Sequence, residues 1–506
     1  MKTENKNTIL FYIGSFLISL LSTYFIWLQT SKYGINLSPD STVYMKWAQN
    51  ILDNSINFVI TNNDAKWPPL YPITVAVFSK IFQLDPLILA RYLNCCLVFL
   101  SSLFTILLLK NFSNKLFFSI VFGFFIPFSI PFNFVFSFAW SEPLFIVFLL
   151  LITFSIEKTT YKRLILCAFL TSLAILTRYA GIAIVPTVCL YIFTQKSEVH
   201  EKVKKCFCYI TLPLLTYILY VVRNYFFTGT LMGPRALSNT GLFSNCDRAF
   251  FTIVHWFSPY LFLSAFLLVV AGAYMYIYIS KYDMNHVSDF VRFFIGIPDL
   301  VKFSFCFMLV YSFFIVTTST TTAYNLIDDR LMSPVFPFAL IIAYFIFLFC
   351  HILTPPPNSK TRFWFNILLT LLLLIPLASI GKTIKDVNYR KNNGMSGYHS
   401  IYWQSNELIS HLKKSNILTH YGSVFSNEPF ALFLVDRKIS ATPIPSKLIY
   451  SNFMNTILVY FNNTDLPNTF SLNKLQTICE TETLVQTIDG SVIKVGECKK
   501  GNTAWL

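Results

Sequence analysis

Apolar positions in this chain gather into long runs separated by short polar stretches, the pattern of a protein threaded repeatedly through a bilayer. A helix crosses the hydrocarbon with about 20 apolar residues. On that template the runs predict about eleven spans, near 9–29, 87–109, 116–136, 138–156, 164–177, 180–194, 207–226, 250–279, 301–318, 332–352 and 363–380. The fifth and sixth are short and meet at Thr177-Arg178-Tyr179, so they read as a tight hairpin or as one broken re-entrant element. The first run is too long for a cleavable signal and lacks a small-residue cleavage site, so it is expected to stay as an anchor. From about 381 to 506 the pattern changes: a Gly and Asn-rich entry at Asn392-Asn393-Gly394, a helical stretch near 402–414, then short alternating strand-like runs. Two domains are expected, a membrane domain over 1–380 and a small mixed α/β domain over 381–506.

Composition sharpens the class. The chain is 55% hydrophobic and 12% charged, where soluble domains carry roughly 25% charged residues. The fold class is therefore mainly α, a polytopic helical bundle in a membrane. With 54 Phe, 27 Tyr and 8 Trp, most single aromatics are expected to pack or to sit in interfacial belts.

A net charge of +15 would suit nucleic acid, but the basic residues lie in small clusters between spans and form no aromatic-interleaved stripe. They follow topology instead. Lys2 and Lys6, Lys110 and Lys115, Lys158 with Lys162 and Arg163, Lys196 with Lys202, Lys204 and Lys205, and Lys360 with Arg362 mark the cytoplasmic loops. The alternate loops hold Asp40, Asp53, Asp64, Glu142, Asp247, Asp328 and Asp329 and are expected to face outward. That places the N-terminus in the cytoplasm and the C-terminal domain outside it. Eleven Cys without a C-x-x-C motif argue against zinc or redox work. Most cysteines sit in apolar runs, whereas Cys479 and Cys498 fall in two strand-like segments of the polar C-terminal tail and would suit a disulfide in an oxidising compartment. Asn462-Asn463-Thr464 is a nominal glycosylation acceptor, and Pro355-Pro356-Pro357 reads as a rigid cytoplasmic turn.

The outer loop over about 30–86 carries the chemistry. It contains Ser38-Pro39-Asp40-Ser41 and, further on, Lys66 before the stiff elbow Trp67-Pro68-Pro69-Leu70-Tyr71-Pro72. Moving a sugar to a hydroxyl or amine calls for a carboxylate that orients or deprotonates the acceptor. Asp40 is the candidate, and the competing reading is a helix N-cap before an amphipathic surface helix with Val43, Trp47 and Ile51 on one face. Lys66 suits a lipid phosphate as a point charge, or an ordinary snorkelling position beside a Trp belt. Tyr44, Trp67 and Tyr71 are the aromatics that would close over a sugar.

Glu142 opens a span, where a carboxylate complements the helix N-terminus. Arg178 at the mouth of an apolar hairpin is costly without an anion or a partner. Arg223 and Arg235 bracket a turn-rich loop, Thr228-Gly229-Thr230-Leu231-Met232-Gly233-Pro234, suited to cradling a phosphate or diphosphate. Arg330, in Asp328-Asp329-Arg330, can grip a phosphate with two donors or pair with the adjacent Asp.

Taken in order, an Asp in the first outer loop, W-P-P-L-Y-P, S-E-P-L-F, L-T-R-Y-A-G, R-N-Y-x-x-T-G-T-x-x-G-P-R and D-R-L-x-S-P resemble bacterial membrane glycosyltransferases of the GT-C fold class. The chain is similar to the aminoarabinose transferase and protein O-mannosyltransferase group over roughly residues 10–350. That resemblance implies an enzyme of the cell (inner) membrane with a polyprenyl-phosphate sugar as donor, a lipid, glycan or protein acceptor, and inversion at the anomeric carbon. It further implies Asp40 as the catalytic carboxylate, with Lys66 and Arg330 at phosphate-binding positions. Many relatives have two adjacent acidic residues or an Arg-Asp pair in the first loop, whereas Pro39-Asp40-Ser41 offers one carboxylate. No cofactor is therefore expected, with a divalent metal as the alternative. The resemblance does not reach the C-terminal domain. A multi-pass transporter or lipid flippase is the rival class, but those commonly show two related halves with broken helices, and no such echo exists here. A scaffold would leave the order of the loop motifs without a cause.

Overall fold

The computed structural model describes residues 2–53, 64–113, 115–257, 297–322, 326–352, 377–439, 441–444, 456–462, 475–477 and 479–498. Five helices among the described residues are long and apolar enough to cross a membrane, within Lys6–Gln29, Pro86–Ser113, Val199–Thr228, Asp299–Thr321 and Asp329–Leu348. The protein is a multi-pass membrane protein. The expected spans 250–279 and 363–380 lie mostly outside the described residues, as do Pro355-Pro356-Pro357 and most of the glycosylation acceptor.

The first helix, α1 (Lys2–Gln29), shows how polar residues survive in an apolar span. Its Ser15, Ser19 and Ser22 hydroxyls, and that of Thr30 just beyond its end, donate to carbonyls four residues back at 2.8–3.2 Å. The small serines also let α1 approach α4 (Pro86–Ser113), and Ser22 and Ser102 share a hydrogen bond of 3.0 Å between the two.

Between these helices the outer loop folds into α2 (Pro39–Asp53), a single turn at Asp64–Lys66, and α3 (Leu70–Phe82). The run read as one span over 116–136 is broken: α5 (Leu116–Gly123) ends at a turn and α6 (Ile130–Val135) restarts beyond Pro127, which cannot continue the helix ladder. Then come α7 (Glu142–Ile156), α8 (Tyr161–Thr177), a one-turn connector at Tyr179–Ala183, α9 (Ile184–Phe193) and α10 (Val199–Thr228). They are followed by α11 (Leu242–Phe257), α12 (Asp299–Thr321), the short α13 (Asp329–Met332), α14 (Phe336–Ile352) and α15 (Leu377–Asn393). The segment over 164–194 is thus two short helices joined by a sharp connector.

The C-terminal part adds α16 (Ile401–Gln404), α17 (Glu407–Ser415) and a five-stranded sheet in the order β2-β1-β3-β5-β4. Strands β1 (Ser423–Ser426), β2 (Ala441–Pro443) and β3 (Thr456–Phe461) pair in parallel, while β3–β5 and β4–β5 are antiparallel. The central β3 is buried along almost its whole length, as its sequence Thr-Ile-Leu-Val-Tyr-Phe requires. The hairpin of β4 (Cys479–Thr487) and β5 (Gly490–Cys498) sets Cys479 opposite Cys498, and Cys479 is disulfide-bonded.

This C-terminal part packs on the segment between α1 and α2. The Tyr398 N–H donates to Leu37 O at 2.9 Å, and His399 Nδ1 meets Ile35 O at 2.7 Å. Gly397 at φ +121° permits that approach, because a Cβ there would run into the Leu37 carbonyl. Arg437 pairs with Asp85 just before α4, and Lys46 Nζ of α2 donates to Ile439 O at 2.6 Å.

Candidate active site

Four charged side chains from distant parts of the sequence meet at one end of the bundle. Asp40 is the second residue of α2, Glu142 the first of α7, Arg178 follows the last residue of α8, and Arg330 is the second of α13. Helix ends place them there. Apolar runs must remain in the bundle, so the charged residues that bound these runs emerge together where the helices stop.

Arg330 Nη2 lies 2.6 Å from Asp40 Oδ2, and its Nε lies 2.6 Å from Glu142 Oε1. Arg178 pairs with the same Glu142 oxygen. Glu142 is fully buried, whereas the Asp40 side chain keeps 28% exposure. A carboxylate without water is stable here because two guanidiniums surround it. Asp40 is different: one oxygen is held and the group still faces open space.

Asp40 does not cap α2. The Ser41 N–H donates to Ser38 Oγ at 3.3 Å, so Ser38 caps the helix and the Asp40 carboxylate engages Arg330 instead. Trp140 completes this corner. Its ring lies 4.2 Å from the Arg330 guanidinium, and its Nε1–H donates to Ser38 Oγ at 2.7 Å.

Asp40, Tyr44, Lys66, Trp67, Arg178, Arg235 and Arg330 all line one cavity of about 510 Å³. Tyr217, Phe314 and Ile315 supply an apolar side and Thr318 and Ser319 add hydroxyls. Tyr44 reaches the Ser141 hydroxyl at 3.3 Å, and burial, reinforced by the Asp40 and Glu142 charges, pushes its phenol well above the usual range. It is a neutral hydrogen-bonding group at physiological pH.

Three sequence candidates sit elsewhere. Tyr71 is buried behind Tyr44, with ring centroids 5.3 Å apart, and supports it without lining the cavity. Glu142 lies behind the two arginines. Arg223 is turned away, its guanidinium 5.7 Å from the Phe227 ring and 6.0 Å from that of Tyr220. One helical step on, Asn224 is buried and donates to Tyr179 Oη at 3.0 Å, so the inward face of α10 is one position beyond the arginine. Arg235 does line the cavity, but its Nε and Nη2 donate to the Met232 and Lys66 carbonyls at 3.2 and 3.1 Å.

Among the described residues, the groups around Asp40 do not form a divalent-cation site. Asp40 and Glu142 are both matched by guanidiniums, and among the described residues no three His, Cys, Asp or Glu side chains gather into a metal-binding group.

This bundle has known counterparts. The chain superposes on ArnT from Cupriavidus metallidurans in the apo state with a TM-score of 0.57 at 11% identity, covering 94% of this chain and 97% of that one. For ArnT bound to undecaprenyl phosphate the TM-score is 0.55 at 11% identity, with 96% and 97% covered. The chain has the GT-C fold. The apo oligosaccharyltransferase of Archaeoglobus fulgidus gives a TM-score of 0.51 at 10% identity, over 86% of this chain and 64% of that one. No protein-family model matches the sequence, and no curated protein matches it. The fold expected from the order of the loop motifs is therefore the fold observed, although the sequences are only 10–11% identical.

Reading the sequence alone left Trp140, Tyr179 and Tyr220 without a role. Tyr179 adjoins Arg178 in L-T-R-Y-A-G and Trp140 stands two residues before Glu142, and that proximity was the available signal. Tyr220 lies inside an apolar run, where nothing distinguishes it from a packing aromatic.

Proposed function

We propose that this GT-C protein is a glycosyltransferase that moves one sugar from a polyprenyl-phosphate donor to an acceptor outside the cytoplasm, with inversion at the anomeric carbon. The carrying observation is the 2.6 Å pair of Asp40 and Arg330 on the wall of a cavity that also receives Lys66 and Arg178. One carboxylate with an accessible oxygen beside several cations suits a reaction that takes up a proton and releases a phosphate. The solved ArnT complex with undecaprenyl phosphate supports a lipid phosphate as the leaving group.

In this reading the acceptor O–H or N–H hydrogen-bonds to Asp40. The acceptor atom attacks the anomeric carbon as its proton passes to the carboxylate. The bond from that carbon to the phosphate oxygen breaks, and the electron pair leaves with the polyprenyl phosphate. Displacement from the opposite face inverts the centre. Lys66, Arg178 and Arg330 offset the growing charge on the phosphate; Arg330 is suited to this because two of its nitrogens are already fixed by Asp40 and Glu142. Tyr44 and Trp67 bound the sugar.

The test is transfer from a panel of radiolabelled polyprenyl-phosphate sugars to endogenous membrane acceptors, comparing wild type with Asp40→Asn at equal expression. Loss of transfer with donor still bound is the expected result. Transfer retained by the variant would remove Asp40 from the chemistry.

A further inference from the structure

Lys66 ends the single helical turn Asp64–Lys66, which is too short to hold itself, and three successive backbone carbonyls at its end are each captured by a side chain. Tyr179 Oη donates to Ala65 O at 2.7 Å, Arg235 Nη2 to Lys66 O at 3.1 Å, and Tyr220 Oη to Trp67 O at 3.0 Å. These donors come from three elements: the connector after α8, the loop after α10, and α10 itself. Asn224 links them, donating both to Tyr179 Oη at 3.0 Å and to Leu231 O at 3.4 Å.

Gly233 lets the loop close on the turn. Its φ is +75°, and a Cβ there would stand 2.9 Å from the Lys66 nitrogen, which is closer than real contacts allow. The captured turn is short, so fixing its three carbonyls fixes where the Lys66 side chain starts. Lys66 itself makes no ion pair among the described residues, and it lines the cavity shared by Asp40 and Arg330.

We infer that Tyr179, Tyr220 and Arg235 are positioning residues that act through the backbone of residues 65–67 to aim the Lys66 ammonium at a phosphate group in the cavity. The inference deepens the proposed function and rests on it for the identity of the phosphate. A flexible lysine is a poor anion ligand because four rotatable bonds must be ordered; holding its backbone removes part of that cost before the ligand arrives. The arrangement also gives Arg235 a role other than phosphate contact, since two of its donors face carbonyls.

The experiment uses the full-length protein in nanodiscs with undecaprenyl phosphate as the probe. Tyr179→Phe and Tyr220→Phe keep the rings and remove the captured hydrogen bonds. Each is expected to weaken binding roughly three- to tenfold, and to have no further effect once Lys66 is replaced in Lys66→Met. In parallel, the rate at which Lys66 reacts with an amine-acylating reagent, read by mass spectrometry against the exposed Lys385, is expected to rise in both tyrosine variants. Losses of equal size with and without Lys66, or an acylation rate unchanged in both variants, would overturn the positioning role. If wild type does not bind undecaprenyl phosphate, the polyprenyl-phosphate reading fails. The acylation rate then decides alone: a rise upholds the backbone cradle, and no change removes it.

Discussion

Arg330 and Asp40 form a direct ion pair, Nη2 to Oδ2 at 2.6 Å, and the same guanidinium holds Glu142 through Nε at 2.6 Å. The planar fork makes this possible: one side chain binds two carboxylates in fixed directions. Asp40 is thereby tied through Arg330 to the buried Glu142, and its orientation does not depend on α2 alone.

Arg330→Lys is the sharpest test of that geometry. A lysine keeps the charge but offers a single point donor, so it cannot span Asp40 and Glu142 together. Transfer activity is expected to fall roughly 10²–10³-fold, the size typical of losing one preorganised charge-stabilising donor. Steady-state kinetics would check it, and activity within threefold of wild type would refute the shared-fork account.

Glu142→Gln addresses stability. The substitution leaves Arg178 and Arg330 buried without their common anion, while the Glu142 carboxylate in the native protein has no exposed surface to share the burden with water. Removing one partner of such a network costs about 3–5 kcal/mol. Thermal unfolding in nanodiscs should show a clear loss for Glu142→Gln, and a smaller one for Asp40→Asn, whose side chain keeps 28% exposure.

How much of this was legible beforehand follows from physics. The membrane class and the placement of Asp40, Lys66, Arg178 and Arg330 at one end were readable, because apolar runs force charged residues to span ends. Arg223 misled, since one residue of helical rotation separates it from the inward-facing Asn224 and no local signal sets that phase. The break inside 116–136 was signalled by Pro127, but hydropathy alone runs straight across it. The pairing of Glu142 with two arginines was invisible, because long-range partners leave no trace in spacing.

The strand pairing of Cys479 with Cys498 yields a prediction for the C-terminal sheet. Peptide mapping without reductant should recover the two residues in one bridged fragment. Cys479→Ser is expected to lower the stability of the sheet by about 3 kcal/mol, as for a closed loop of that length. Recovery of both as free thiols would contradict the pairing.

His399 is expected to make the packing of the C-terminal part against Ile35 sensitive to acid. Its ring is buried against Ile35 O at 2.7 Å, and burial, helped by the Lys413 and Arg437 charges, pulls its pKa from 6.5 down to about 4. Above pH 6.5 the imidazole is neutral whether the domain is folded or not, and the full stability is present. As pH falls from 6.5 toward 4, the unfolded chain takes up a proton that the folded chain refuses, so stability is lost across that window, up to about 3 kcal/mol. His399→Gln keeps a hydrogen-bond donor for Ile35 O without a titrating group. Native-state proteolysis at pH 7 and pH 5 should therefore open the wild-type domain more at the lower pH, and the variant should show the weaker dependence. Equal pH dependence in the two proteins would assign the acid sensitivity to other groups.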